Sequence, residues 1–183
     1  MNCPVCKTVS LATTELETDL IVFACQQCGG DWIRDSLYKS WREKHAEDLP
    51  EKPGNGSAIQ FTSVDLARLC PDCNRILVKY KVGRDLDFTV DRCGGCGGVW
   101  LDKDEWTVLK DRNLHDNLYD FFTEAWQSEV RREETRKHLE SIYEQKFGTE
   151  TYAEVKRFKA WMDQQPLKSE IVAFLNDSNP LGV

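Results

Sequence analysis

Eight cysteines, every one of them in a CxxC pair, constrain this chain more than any other feature: Cys3-Pro-Val-Cys6, Cys25-Gln-Gln-Cys28, Cys70-Pro-Asp-Cys73 and Cys93-Gly-Gly-Cys96. The first two pairs are separated by 18 residues and the last two by 19. Both separations fit the C-x2-C, spacer, C-x2-C pattern of a tetrahedral metal site. A CxxC places two thiolates at adjacent corners of a tetrahedron, and a hairpin that joins two such knuckles completes the shell. Tetrahedra of sulfur suit zinc, and also iron in a rubredoxin-like site. The expectation is two zinc ions, one on Cys3, Cys6, Cys25 and Cys28, the other on Cys70, Cys73, Cys93 and Cys96.

Composition limits what such a chain does. Its 183 residues are 40% hydrophobic and 30% charged, a soluble globular balance, and the longest apolar run, Leu20 to Cys25, is far too short to span a bilayer. No basic, apolar and small-residue sequence of a secretion signal precedes Cys3, so the expected compartment is the reducing cytoplasm, where CxxC clusters hold metal or do redox chemistry. Net charge is −7. Eight thiolates and two Zn2+ take it to about −11, which argues against indiscriminate attraction to phosphate.

The chain is built on a repeat. A shift of 67 residues superposes Cys3, Pro4 and Cys6 on Cys70, Pro71 and Cys73, and a shift of 68 superposes Cys25, Cys28, Gly29, Gly30 and Trp32 on Cys93, Cys96, Gly97, Gly98 and Trp100. In the second unit Ile76, Val78, Tyr80 and Val82 alternate with Leu77, Lys79 and Lys81, and Gly83-Arg84-Asp85 turns the chain into Leu86, Phe88 and Val90, which predicts a β-hairpin. The first unit is a weaker copy with strands at 9–13 and 20–24. A helix over 36–49 is predicted from the stripe Leu37, Trp41, His45 and Leu49, and residues 51–57 read as a linker. Asp102 and Glu105 form an Asp variant of the capping box that opens a helix bearing Trp106 and Leu109.

From Leu118 to Phe147 the pattern predicts one long helix, polar all round at its centre, with Gly148 as its stop. Thr151 and Glu154 make a second capping box, before a helix whose aromatic stripe from Tyr152 to Trp161 reads as packing core. Pro166 suits the first turn of a last helix carrying Ile171, Val172, Phe174 and Leu175. The expected organisation is a small, metal-stabilised α+β protein. It comprises a ribbon with its helix at 1–49, a linker at 50–60, a second ribbon with its helix at 61–113, a long helix at 114–148 and a helical hairpin at 149–183.

The metal does what a hydrophobic core of this size does not, because a ribbon buries too little apolar surface to fold alone and zinc binding becomes folding free energy. Four thiolates per ion leave no position for an activated water. Gly29 and Gly97 permit the positive φ that aims amides at sulfur after a knuckle, and Asn74 tolerates it. Lys7 stands where glycine or asparagine is expected, so the first knuckle is expected to be strained or differently turned.

The run CPxC, hairpin, then Cys93-Gly-Gly-Cys96-Gly-Gly-Val-Trp100-Leu-Asp102 with Glu105 resembles the bacterial TFIIB-type zinc-finger domain, whose pattern is CPxC, CxxCxGxWLD and a following Glu. The first unit is similar through Trp32 and then departs, with Ile33-Arg34-Asp35-Ser36 in place of Leu-Asp and the downstream Glu. The tail containing Phe158, Trp161, Pro166 and Phe174-Leu175 resembles the helical tail found in some of these proteins. The resemblance implies zinc ribbons and, by analogy of fold, a link to transcription.

Three functions compete at this level. The expected one is a non-catalytic zinc protein acting as an interaction adaptor for another protein, with Trp32 and Trp100 either exposed for contact or, as favoured, packed beside their own knuckles. Nucleic-acid binding would use Arg75, Lys79, Lys81 and Arg84, with Arg68 and Arg92 beside them on the second ribbon, but Asp65, Asp72, Asp85, Asp87 and Asp91 nearly neutralise these six. A redox or chaperone thiol protein needs a cysteine outside the metal shells, and none exists. His45, His115 and His138 adjoin no CxxC and read as surface or packing residues, so no enzyme is expected.

Overall fold

Apolar alternation builds the first ribbon. In a computed structural model that describes residues 1–45, 66–83 and 86–181, β1 (Ala12–Glu17) pairs antiparallel with β2 (Leu20–Ala24). Leu20, Val22 and Ala24 are buried while Ile21 stays exposed, the period of two that a half-covered strand requires. β3 (Asp31–Ile33) returns along β2. After α1 (Asp35–Lys44), the second ribbon repeats the plan with β4 (Leu77–Gly83), β5 (Leu86–Cys93) and β6 (Val99–Leu101).

The two zinc-ribbon modules expected from the sequence are joined edge to edge. β3 pairs antiparallel with β6, Trp32 opposite Trp100, and the result is one six-stranded sheet in the order β1-β2-β3-β6-β5-β4. The cause lies in two three-residue strands that are apolar on both faces. Ile33, Val99 and Leu101 point to the helix-covered side, Trp32 and Trp100 to the other, and an unpaired edge between such faces would leave backbone groups unsatisfied.

One expected face is covered over only part of its length. In β4, Val82 and Tyr80 pack in the helix-covered cluster and Leu77 in the cluster on the other side, whereas Val78, and Ile76 just before the strand, are exposed. The register shifts between Lys81 and Gly83, and Lys79, two residues from Leu77, pairs with Asp91 at 3.6 Å. The turn residues Arg84 and Asp85, the predicted linker at 51–57 and Leu49 lie outside the described residues.

Helices cover the inner face. α1 docks through Tyr38 and Trp41, one turn apart, while Leu37 of the predicted stripe is half-buried. α2 (Glu105–Asp111) contributes Trp106, Val108 and Leu109, followed by Leu114 and by α3 (Leu118–Phe121). The Tyr38 hydroxyl donates to the His115 carbonyl at 2.9 Å and accepts from the Leu118 amide at 3.2 Å, which ties α1 to the segment before α3. The expected single helix from Leu118 is interrupted: α4 (Glu124–Phe147) starts anew, because Thr123 Oγ1 accepts the Trp126 amide at 3.2 Å as an N-cap. Trp126 then donates to the Val82 carbonyl at 3.0 Å.

The chain divides into two compact units, residues 1–130 and 131–183. Gly148, at φ 80°, follows α4 as predicted. α5 (Thr149–Met162) opens at Thr149, so Thr151 lies inside the helix and does not cap it, and α6 (Lys168–Asn176) starts two residues after Pro166. The stripe predicted to be core in α5 is not: Phe158 and Trp161 are exposed, and only Tyr152 and Met162 are half-buried.

Candidate metal centres

Each knuckle is a tight backbone loop closed by hydrogen bonds that its cysteines anchor. The amides of Lys7, Gly29, Asn74 and Gly97 donate to the carbonyls of Cys3, Cys25, Cys70 and Cys93 at 2.8, 2.8, 2.9 and 2.9 Å. All four residues have positive φ, between 59° and 75°. Lys7, at 63°, therefore makes the same turn as the others, and the expectation of a differently turned first knuckle is corrected; the strain expected of a long side chain at positive φ is present. Amides also reach sulfur directly: Cys6 to Cys3 Sγ at 3.3 Å, Cys73 to Cys70 Sγ and Gly95 to Cys93 Sγ at 3.4 Å.

The hairpins bring the knuckles together in two sets. The four sulfurs of Cys3, Cys6, Cys25 and Cys28 lie within 4.8 Å of one another, as do those of Cys70, Cys73, Cys93 and Cys96. Sulfur pairs across the knuckles are 3.6 and 3.9 Å apart in the first set, 3.5 and 3.3 Å in the second. A zinc ion with bonds of about 2.3 Å to four tetrahedral sulfurs needs edges of about 3.8 Å, so the donor sets fit. Among the described residues, no histidine or carboxylate joins either set.

Without the ion, the thiols differ in acidity. Burial pushes Cys25 and Cys93 up, but the amides of Cys28 and Gln27, and of Cys96 and Gly95, outweigh it and bring both to about 7. Burial and neighbouring thiols raise Cys6 and Cys28 to about 11. Each site thus has one thiol ready to ionise at neutral pH, at the same place in both ribbons, and the metal displaces the remaining protons. In the second set Cys73 and Cys96 are exposed, while in the first Cys6 and Cys28 are half-covered.

The tryptophans exchange places across the seam. Both are fully buried, and each packs over the glycine that follows the other ribbon's second knuckle, beyond the packing on its own knuckle favoured from sequence. A Cβ on Gly98 would sit 2.3 Å from Trp32 Cζ2, and one on Gly30 would sit 2.2 Å from Trp100 Cζ2. Likewise Lys103 lies over Gly29 and Asp35 over Gly97. Neither Gly30 nor Gly98 is at positive φ, so their missing side chains make room for the other ribbon's indole. That is the signal sequence reading missed. Two buried indoles of about 200 Å² each contribute at most ~5 kcal/mol apiece to holding the ribbons together.

The departure after Trp32 has a structural reason. Arg34 crosses to the second ribbon's CPxC knuckle and donates from Nε and Nη2 to the two carboxylate oxygens of Asp72 at 2.9 and 2.7 Å, and Trp32 Nε1 donates to the same carboxylate at 3.0 Å. The Arg34 bonds hold Asp72 below its ordinary range. At the matching position of the second ribbon, Asp102 accepts from Trp100 Nε1 at 3.0 Å and from Arg68 at 2.8 Å, and Arg68 also donates to the buried Asp91 at 2.8 Å. With its carboxylate so occupied, Asp102 does not cap α2. Only the returning half of the predicted box forms, the Asp102 amide donating to Glu105 Oε2 at 2.8 Å, and Asp104 at φ 68° precedes the helix.

Of the basic residues considered for nucleic acid, Arg75, Lys79 and Lys81 lie among the described residues. Arg75 lies against Gly95 of the opposite knuckle of its ribbon, Lys79 pairs with Asp91, Lys81 is exposed with its carbonyl accepting from Gln127, and Arg84 lies outside the described residues. Between the two CPxC knuckles opens a cleft of about 500 Å³, lined by Cys3, Pro4, Lys7, Cys70, Pro71 and Asn74 among others.

No helix among the described residues is long and apolar enough to cross a membrane. No curated protein and no solved structure matches the chain. A family model described as a transcription factor zinc-finger matches it twice, over residues 2–44 and 69–112, each match spanning one ribbon with its helix. With four sulfurs positioned for zinc in each match, the chain carries two tandem zinc ribbons of the TFIIB type.

Proposed function

We propose that the protein is a non-catalytic adaptor, in which two structural zinc ions hold one sheet rigid so that its knuckle face contacts another protein in the cytoplasm. The observation that carries this is the use of all eight cysteines as ligands beside a cleft rimmed by exposed apolar residues. Leu69 lines that cleft, and Val5 stands beside Pro4 on the facing knuckle; both are exposed. Exposed apolar side chains on a metal-fixed loop lose little entropy on contact, which favours recognition by packing. Crosslinking followed by affinity capture from the native host tests it. The expected result is a specific protein retained by the wild type and lost by a Val5→Glu, Leu69→Glu variant that still holds two zincs; capture of nothing specific overturns it.

Nucleic-acid binding in transcription is the second reading, and the description of the matched family is what favours it. The net charge of −7 and the pairing of Lys79 with Asp91 weigh against it. Binding of labelled oligonucleotides at about 50 mM salt, where phosphate contacts are strongest, decides between the two.

A further inference from the structure

The C-terminal unit carries an apolar surface far out of proportion to its core. None of the described residues from 131 to 181 is buried. Leu139, Tyr143 and Phe147 recur every fourth residue along α4, Phe158 and Trp161 stand one turn apart on α5, and Phe174 lies on α6; all six are 44% to 54% exposed. Neighbouring rings touch, with centroids 5.7 Å apart for Tyr143 and Phe147 and 5.5 Å for Phe158 and Trp161. A unit of this size without a buried residue has little to hold it folded by itself.

We propose that a second copy of this chain covers this surface, so that the protein is a homodimer joined through α4, α5 and α6. Area is the first argument. Six large side chains at roughly half exposure offer on the order of 600 Å², and adjoining atoms bring this near the ~800 Å² per partner of a stable interface. Charge is the second. Residues 131–183 contain nine Lys and Arg and nine Asp and Glu, so the unit is neutral while the remainder carries all of the −7. A neutral apolar face meets its own copy without repulsion, whereas an anionic lipid surface selects helices with an excess of Lys and Arg, which this unit lacks. This inference stands apart from the adaptor reading.

Sedimentation equilibrium of the full-length zinc-loaded protein between about 1 and 100 μM tests the proposal. The expected mass is twice 21.1 kDa. A Phe158→Glu, Trp161→Glu variant should sediment as a monomer while retaining two zincs and the wild-type melting of the ribbon unit, since both side chains are exposed. Hydrogen exchange of the wild type provides a second readout, with amides of α4 and α5 gaining protection as concentration rises. A wild type that stays monomeric throughout, whether or not it binds vesicles or another protein, overturns the proposal. So does a dimer that survives the double substitution, or protection that is independent of concentration.

Discussion

Replacing Gly98 by alanine adds one methyl group to the seam between the ribbons and nothing elsewhere. Gly98 has no positive φ, so the backbone accepts alanine without strain, and every consequence comes from the indole above it. The new Cβ would stand 2.3 Å from Cζ2, 2.7 Å from Cη2 and 3.0 Å from Cε2 of Trp32. Ordinary contact demands about 3.5 Å or more, so the indole has to retreat by about an ångström. It has no room to do so: Trp32 is fully buried, and its Nε1 is held by Asp72 at 3.0 Å. Overpacking of this kind costs about 1–3 kcal/mol, and loss of the Asp72 bond adds about 1. Thermal unfolding of the zinc-saturated protein should show Tm lowered by roughly 5–15 °C, and a chromogenic chelator should extract zinc faster from both sites. Adding Trp32→Phe, which shortens the ring beneath the methyl group, should recover part of the loss. If Gly98→Ala melts and releases zinc like the wild type, the indole does not lie there and the shared seam is wrong.

Three further outcomes follow from the same packing. Arg68→Met removes the guanidinium from two carboxylates, one of them the buried Asp91, and should cost about 3–5 kcal/mol in urea unfolding; a loss under about 1 kcal/mol refutes the burial of this ion pair. Burial, with the charges of Asp102 and Asp91, raises Glu105 from 4.5 to about 8. The folded state therefore keeps a proton that the unfolded state has lost, and stability falls as pH rises between about 4.5 and 8. Glu105→Gln should remove this dependence, so that variant and wild type diverge by about 2 kcal/mol from pH 6.5 to 8 under saturating zinc, and parallel curves would contradict the assignment. Lys7→Gly should relieve the left-handed strain and raise stability by a few tenths to 1 kcal/mol, measured as a shifted denaturation midpoint; destabilisation would mean that the Lys7 side chain makes contacts that outweigh the strain.

Both donor sets were legible because CxxC spacing encodes a local geometry and the repeat fixes which pairs belong together. The hairpin strands β2 and β5 announced themselves by alternation. β3 and β6 did not, since three residues are too few to display a period, and their pairing depends on residues 68 apart. The repeat itself concealed the tryptophan exchange. Trp32 and Trp100 occupy equivalent positions, and equivalence is satisfied equally by packing on one's own knuckle or on the other's. Arg34 looked like a lapse from the family pattern until Asp72 supplied its partner across the seam. In the C-terminal unit the helical period was correctly seen, but period alone does not say whether an apolar stripe is covered within the chain.

Zinc loading of the apo protein, followed by native mass spectrometry, tests the central claim that two zinc ions hold one shared sheet. The account predicts a final state with two zincs. Because each ribbon completes the other's packing, it also predicts a one-zinc species below about a quarter of the population at half saturation, as a tenfold coupling between the sites requires. A final state with fewer than two zincs, or a one-zinc species near the half expected of independent sites, would contradict it.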